Sequence, residues 1–150
     1  MRAVIQRVSH ANVKIDGKIC GKIGNGLLIL VGFEESDSEE DFEWMANKII
    51  RLRIFPDQNG VMNISVEEVA GELLVVSQFT LHASTKKGNR PSYIRSSPPE
   101  TAKTQYESFV KVLKNKYIRP IQCGIFGADM KVELLNDGPV TIWIDSKNKE

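Results

Sequence analysis

The sequence predicts an α+β fold: a single compact domain with a curved, mostly antiparallel, barrel-like sheet covered by two helices. Three observations predict it. Residues near the start alternate with a period of two, two later segments switch to helical spacing, and turn residues divide the rest into short apolar runs. At 150 residues, 41% hydrophobic and 26% charged, the chain has a globular composition. Its length suits one domain, 1–150, able to bury roughly 70% of its unfolded surface without a disulfide or metal staple.

Val4, Gln6 and Val8 alternate with Ile5 and Arg7, and Ala11, Val13 and Ile15 alternate with polar residues as far as Asp16-Gly17. Asp-Gly tolerates the positive φ of a tight turn, so Lys18-Ile19-Cys20 should return as the second strand of a hairpin. Gly24-Asn25-Gly26 punctuates before Leu27 to Phe33, a run with the length of a strand buried on both faces. Phe42, Met45, Ala46, Ile49 and Ile50 then fall at helical spacing, with Asp37 or Ser38 as the cap and acidic residues in the first turn. Pro56 and the turn Asp57-Gln58-Asn59-Gly60 close that region. Short strands are expected around Met62 to Val66 and from Glu72 to Leu81. A Gly/Ser/Pro-rich loop follows from Ala83 to Pro99, long enough to carry function. Pro98-Pro99-Glu100 opens a second helix with Ala102, Tyr106, Phe109, Val110, Leu113 and Tyr117 on one stripe. Three strands finish the chain, at Arg119–Cys123, Met130–Leu135 and Val140–Asp145, before a charged tail from Lys147 that is expected to fray. There is no internal repeat and no linker.

The longest apolar run, Leu27 to Val31, is too short to span a bilayer, and the opening residues alternate like a strand rather than forming a signal peptide. A cytoplasmic location without membrane contact is the expectation. In that compartment Cys20 and Cys123 are better read as free thiols than as a pair. The net charge of +1 argues against wholesale nucleic-acid binding. Its distribution is uneven, however: Glu34 to Glu43 is acidic, whereas Leu73 to Pro99 holds Lys86, Lys87, Arg90 and Arg95 and no acidic residue. Such a loop suits one anionic ligand or one end of a nucleic acid, and equally a solvated surface.

Chemistry-bearing residues are few. No Cys/His/carboxylate cluster has metal-ligand spacing, and no phosphate loop or dinucleotide fingerprint occurs, so neither metal nor cofactor is expected. His10 reads as a structural or surface residue. His82 would share a strand face with Thr80, but the i, i+2 separation of about 7 Å is too long for direct proton transfer. What remains is Ser77-Gln78-Phe79-Thr80-Leu81, where an apolar run ends in polar residues, and Asn136-Asp137-Gly138-Pro139-Val140-Thr141. The first reads either as edge-strand polarity or as backbone donors turned toward an oxyanion. The second is either a plain turn or a Gly-Pro step whose cis isomer, roughly 0.5–1 kcal/mol above trans, would point two carbonyls the same way. Parallel carbonyls suit an ammonium group.

Taken together with Lys87-Gly88-Asn89-Arg90-Pro91-Ser92, Phe126-Gly127-Ala128-Asp129-Met130 and the opening Met1-Arg2-Ala3-Val4-Ile5-Gln6-Arg7-Val8, these stretches resemble the D-aminoacyl-tRNA deacylases from end to end. The resemblance implies hydrolysis of the ester joining a D-amino acid, or achiral glycine (as in glycyl-tRNA mischarged on tRNA(Ala)), to the 3′-terminal adenosine of tRNA. It implies a homodimer in which the Gly138-Pro139 step of one subunit enters the other's active site and holds the substrate ammonium. L-side chains would clash there, which is chiral proofreading by rejection. Arg7 would fix that step, and Gln78, Phe79 and Thr80, supported by Ser77, would line the reaction centre. The Phe79 and Thr80 amides would be the oxyanion donors, with water attack assisted by the ribose 2′-OH. Phe126 and Met130 would flank the adenine. Two features depart from the usual family pattern: His82-Ala83-Ser84 replaces a stretch that often carries an acidic residue, and Tyr93 stands where Phe is usual. The competing reading is a non-catalytic nucleic-acid-binding module built on the basic 86–95 loop, although Tyr93 is its single aromatic.

Overall fold

The computed structural model describes residues 1–149. Its strands are β1 (Arg2–Ile15), β2 (Lys18–Ile23), β3 (Gly26–Gly32), β4 (Phe55–Pro56), β5 (Met62–Ile64), β6 (Glu72–Ser77), β7 (Ile121–Cys123) and β8 (Lys131–Asp145). The helices are α1 (Glu39–Arg51) and α2 (Pro99–Lys116), and a short 3-10 helix spans Phe79–His82. The hairpin turn between β1 and β2 has positive φ at both Asp16 (49°) and Gly17 (77°), as its sequence requires.

β1 organises the main sheet. It pairs antiparallel with β2, β3 and β8, and the order continues through β3 to β6 and β7 by parallel pairing. The sheet is therefore mixed. The parallel pairs arise where a helix carries the chain back between strands, α1 between β3 and β6 and α2 between β6 and β7. Curvature brings β2 close to β7 and nearly closes the barrel: a Cβ at Gly21 would lie 3.1 Å from the Cys123 carbonyl oxygen.

Strand alternation divides the core in two. Leu27, Ile29 and Val31 of β3 and Leu73 and Val75 of β6 face the helices, packing with Phe42, Met45, Ile49, Phe109 and Leu113. Leu28, Leu74 and Val76 point the other way, into the barrel, with Val8, Val13 and Ile23. Phe33, Phe42 and Phe109 meet edge to face, with centroids 5.8–6.4 Å apart. Tyr106 and Tyr117 of the α2 region donate their hydroxyls to Val75 and Gly71 carbonyls, which anchors the helix on the parallel strands.

Ser38 is the N-cap of α1, and its amide donates to Asp41 Oδ2 at 2.9 Å. Asp37 is committed elsewhere, accepting from the Met1 amino group at 2.5 Å and from the Glu34 amide. Two expectations need correction. The strand from Glu72 stops at Ser77 rather than Leu81. The two strands expected at Met130–Leu135 and Val140–Asp145 are one element, because pairing with β1 resumes beyond the Gly138-Pro139 step. In the tail expected to fray from Lys147, the Lys147 ammonium bonds Asp41 at 2.6 Å and the Ser36 carbonyl at 3.2 Å, and residue 150 lies outside the described residues. No described helix is long and apolar enough to cross a membrane, and Cys20 and Cys123 are free thiols.

Candidate active site

The site begins where β6 ends. Ser77 still pairs with Val31, and the Gln78 amide donates to the Val31 carbonyl at 2.6 Å. Gly32 then brings β3 so close that a Cβ there would sit 2.7 Å from the Gln78 carbonyl oxygen. Parallel pairing ends and the chain tightens into the 3-10 helix. Its first two amides, Phe79 and Thr80, have no acceptor inside the helix, and neither donates to a carbonyl elsewhere among the described residues. The turn is braced from behind: Gln78 Nε2 donates to Thr80 Oγ1 (2.5 Å), Ser96 Oγ to the Phe79 carbonyl (2.9 Å) and Arg2 Nη1 to the Leu81 carbonyl (3.0 Å). Two unpaired N–H groups side by side are the donor arrangement that an oxyanion can accept from.

This turn borders a cavity of ≈ 630 Å³, within the ~300–1,000 Å³ range of small-molecule sites. Ser77, Gln78, Phe79, Phe126 and Met130 share its lining, although Phe126 and Met130 come from the segment between β7 and β8. Phe126 leans on Tyr106, with ring centroids 5.9 Å apart. Gly124 makes room for Met130, whose sulfur lies 2.5 Å from where a Cβ would be. Thr80 is joined to the lining through Gln78 rather than forming part of it.

No Thr80–His82 dyad forms. The 3-10 turn buries His82 against Gly32, with Nδ1 3.5 Å from Glu34 Oε1, and neither ring nitrogen has a hydrogen-bond partner. Burial holds its pKa below the ordinary histidine value, against the opposing pull of the Gly32 backbone and the Glu34 charge. His10 is exposed. The basic loop is also less free than its composition implies, because Arg95 pairs with Glu34 at 2.6 Å. Lys86, Lys87 and Arg90 remain exposed.

Gly138 and Pro139 lie apart from this cavity. Gln6 pairs with Thr141 and Val8 with Asn136, so Asp137–Val140 form an excursion opposite the single residue Arg7. The Gly138-Pro139 bond is cis and Gly138 has φ 121°. Asn136 ties the excursion at its base, accepting from the Val140 amide (2.8 Å) and donating to Thr141 Oγ1 (3.0 Å). Arg7, buried beneath, donates to the Asp137 carbonyl (3.1 Å) and the Ile54 carbonyl (2.6 Å), and pairs with the Asp137 carboxylate (3.2 Å). The step itself projects into solvent. Tyr93, which lines the cavity beside Phe79, was not among the sequence candidates. Its signal was an aromatic residue alone in a basic loop.

A family model described as D-Tyr-tRNA(Tyr) deacylase matches residues 4–145. The chain belongs to that family. Two relatives named "D-aminoacyl-tRNA deacylase", from Parabacteroides distasonis and Flavobacterium psychrophilum, are 63% and 64% identical over 150 residues, covering all of both chains in each case. A solved structure described as "c-Myc DNA Unwinding Element Binding Protein" is 42% identical with a TM-score of 0.92, covering 97% of this chain and 98% of its own. Another, described as a probable eukaryotic D-amino acid tRNA deacylase, shares the fold at 16% identity and a TM-score of 0.79, covering 95% and 97%.

Proposed function

We propose that this chain hydrolyses the ester bond of D-aminoacyl-tRNA, releasing the free D-amino acid and tRNA. The carrying observation is the pair of unpaired amides, Phe79 and Thr80, at the wall of a cavity of nucleoside-accommodating size in a member of this family. In this reading the terminal adenine packs between Phe126 and Met130, and the ester carbonyl lies at the two amides. Water attacks with help from the ribose 2′-OH. No side chain beside the turn offers a better base: His82 is turned away, and the Thr80 hydroxyl accepts from Gln78.

Selection falls to Gly138 and Pro139. Because that step projects from its own chain and lies off its own cavity, it acts in the second subunit of a homodimer, binding the substrate ammonium and excluding L-side chains. Glycine, with no side chain to exclude, is a substrate on the same grounds, including when mischarged on tRNA(Ala). The setting is cytoplasmic translation quality control. The test is deacylation of matched D- and L-aminoacyl-tRNA by catalytic amounts of protein. Multiple turnovers on the D-form alone are expected, and equal cleavage of both would remove the chiral filter.

A second reading, a non-catalytic nucleic-acid-binding module, is favoured by the exposed Lys86, Lys87 and Arg90 and by the DNA-binding name of the 42% identical structure. It requires stoichiometric, strongly salt-dependent binding without turnover, so the same assay separates the two.

A further inference from the structure

The Phe79 amide belongs to the reaction turn, but its ring does not enter the core. It is 55% exposed and meets the ring of Tyr93, itself 39% exposed, edge to face with centroids 5.0 Å apart. The partners come from different segments, and the fold holds both in place. Ser84 and Ser92 exchange two backbone hydrogen bonds that close the neck of the loop. Ser96 Oγ ties the loop to the Phe79 carbonyl, and the Ser97 amide donates to Phe33. The Arg95–Glu34 pair fixes the same stretch. The pair is a half-exposed aromatic surface braced by these contacts.

Its place in the site identifies what covers it. Both rings line the cavity that also holds Phe126 and Met130. On the reading that this cavity takes the terminal aminoacyl-adenosine, the interior is filled by that nucleoside, and the next nucleotide must leave past the exposed rings. Lys86, Lys87 and Arg90 of the same loop are exposed, with no carboxylate partner among the described residues. They supply positive charge where the strand's phosphates emerge.

We propose that Phe79 and Tyr93 form the stacking platform for the penultimate base of the acceptor strand, with Lys86, Lys87 and Arg90 meeting the adjoining phosphates. The loop alone offers one aromatic, and the fold supplies the second. Recognition of this kind tolerates any base, because every base presents a π-face.

A double-mutant cycle on a D-aminoacylated acceptor minihelix tests this. One arm replaces the penultimate nucleotide by an abasic one, and the other replaces Tyr93 by Ala. Each change alone should raise KM roughly 5- to 150-fold with kcat retained. Both together should cost no more than one, and Tyr93→Phe should restore the wild-type KM. Additive effects, or equal loss by Tyr93→Ala on intact and abasic substrates, would overturn the platform while leaving the deacylase reading intact. If the wild type leaves the intact D-minihelix acylated, the reading of the cavity falls and takes the platform with it.

Discussion

Proline is tolerated at the first position of a helix because the N–H it lacks would find no acceptor there. Phe79 holds that position, after a Gln78 whose backbone (φ −145°, ψ 83°) lies outside the α region that a following proline disfavours. Phe79→Pro and Phe79→Ala both remove the ring, but only the first removes the amide. If that amide stabilises the oxyanion, the single-turnover rate of Phe79→Pro on D-aminoacyl-tRNA should fall about 10²–10³-fold below that of Phe79→Ala. Equal rates would take the amide out of the mechanism. Thr80→Ala keeps both amides and should lose less than the roughly 10²–10⁴-fold expected of a proton-transfer group. At this scale residue pattern left Gln78 to Thr80 between edge-strand polarity and oxyanion donors, and Gly138-Pro139 between a plain turn and a cis step. What each residue faces depends on partners far away in the chain. Arg7 reaches Asp137 across 130 positions, and no local pattern encodes that contact.

The elements were more legible, because hydrophobic period is a local property. Both helices, the first hairpin and the doubly buried β3 follow from it directly. The errors fall where tertiary contact overrides pattern. β6 ends early because Gly32 crowds the Gln78 carbonyl, and β8 runs through a turn-like sequence because Asn136 bridges the excursion and β1 supplies partners on both sides. Ending β6 early also sets the environment of His82, at the last position of the 3-10 helix. Burial keeps its folded pKa below the ordinary ~6.5. Between the two values the unfolded chain binds the extra proton, so stability falls as pH drops through about 6.5, by at most ~1.4 kcal/mol per pH unit for one site. The charges that act on the ring are those of Glu34, Arg2 and the Met1 amine. The Asp41 and Asp145 carboxyls, which burial alone would raise, are held below the usual carboxylate range by Lys147 and Arg2 respectively, so they titrate outside this window. Urea midpoints from pH 7.5 to 5.5, followed by Trp44 and Trp143 fluorescence, should decline in the wild type and flatten in His82→Gln. An unchanged slope in the variant would assign the decline to other groups.

At the scale of the whole molecule, the two stretches proposed to act together do not meet within one chain. The cavity and the amide pair sit between β3, β6 and the loop before α2, whereas Gly138 and Pro139 project from β8. β8 pairs with β1 along one edge only, and Leu135 and Trp143 on it are 53% and 49% exposed. A long edge strand with exposed apolar residues is a surface that proteins normally cover. A second subunit placed there would deliver the excursion to a neighbouring cavity, and the arrangement can be tested by complementation. Gly138→Ala carries a side chain at φ 121°, with its Cβ 2.7 Å from Arg7 Nη2. The excursion or Arg7 must therefore move, and the filter fails. Phe79→Pro disables the amide site but leaves the excursion intact. In a heterodimer of the two, a filter acting across the interface leaves one site with both lesions and one with neither. Heterodimers isolated from co-expressed, differently tagged chains should then recover roughly half of the wild-type D-selective activity, although each homodimer is impaired. A filter acting within its own chain leaves one lesion in every site, so activity no higher than the mean of the two homodimers would return Gly138 and Pro139 to their own cavity.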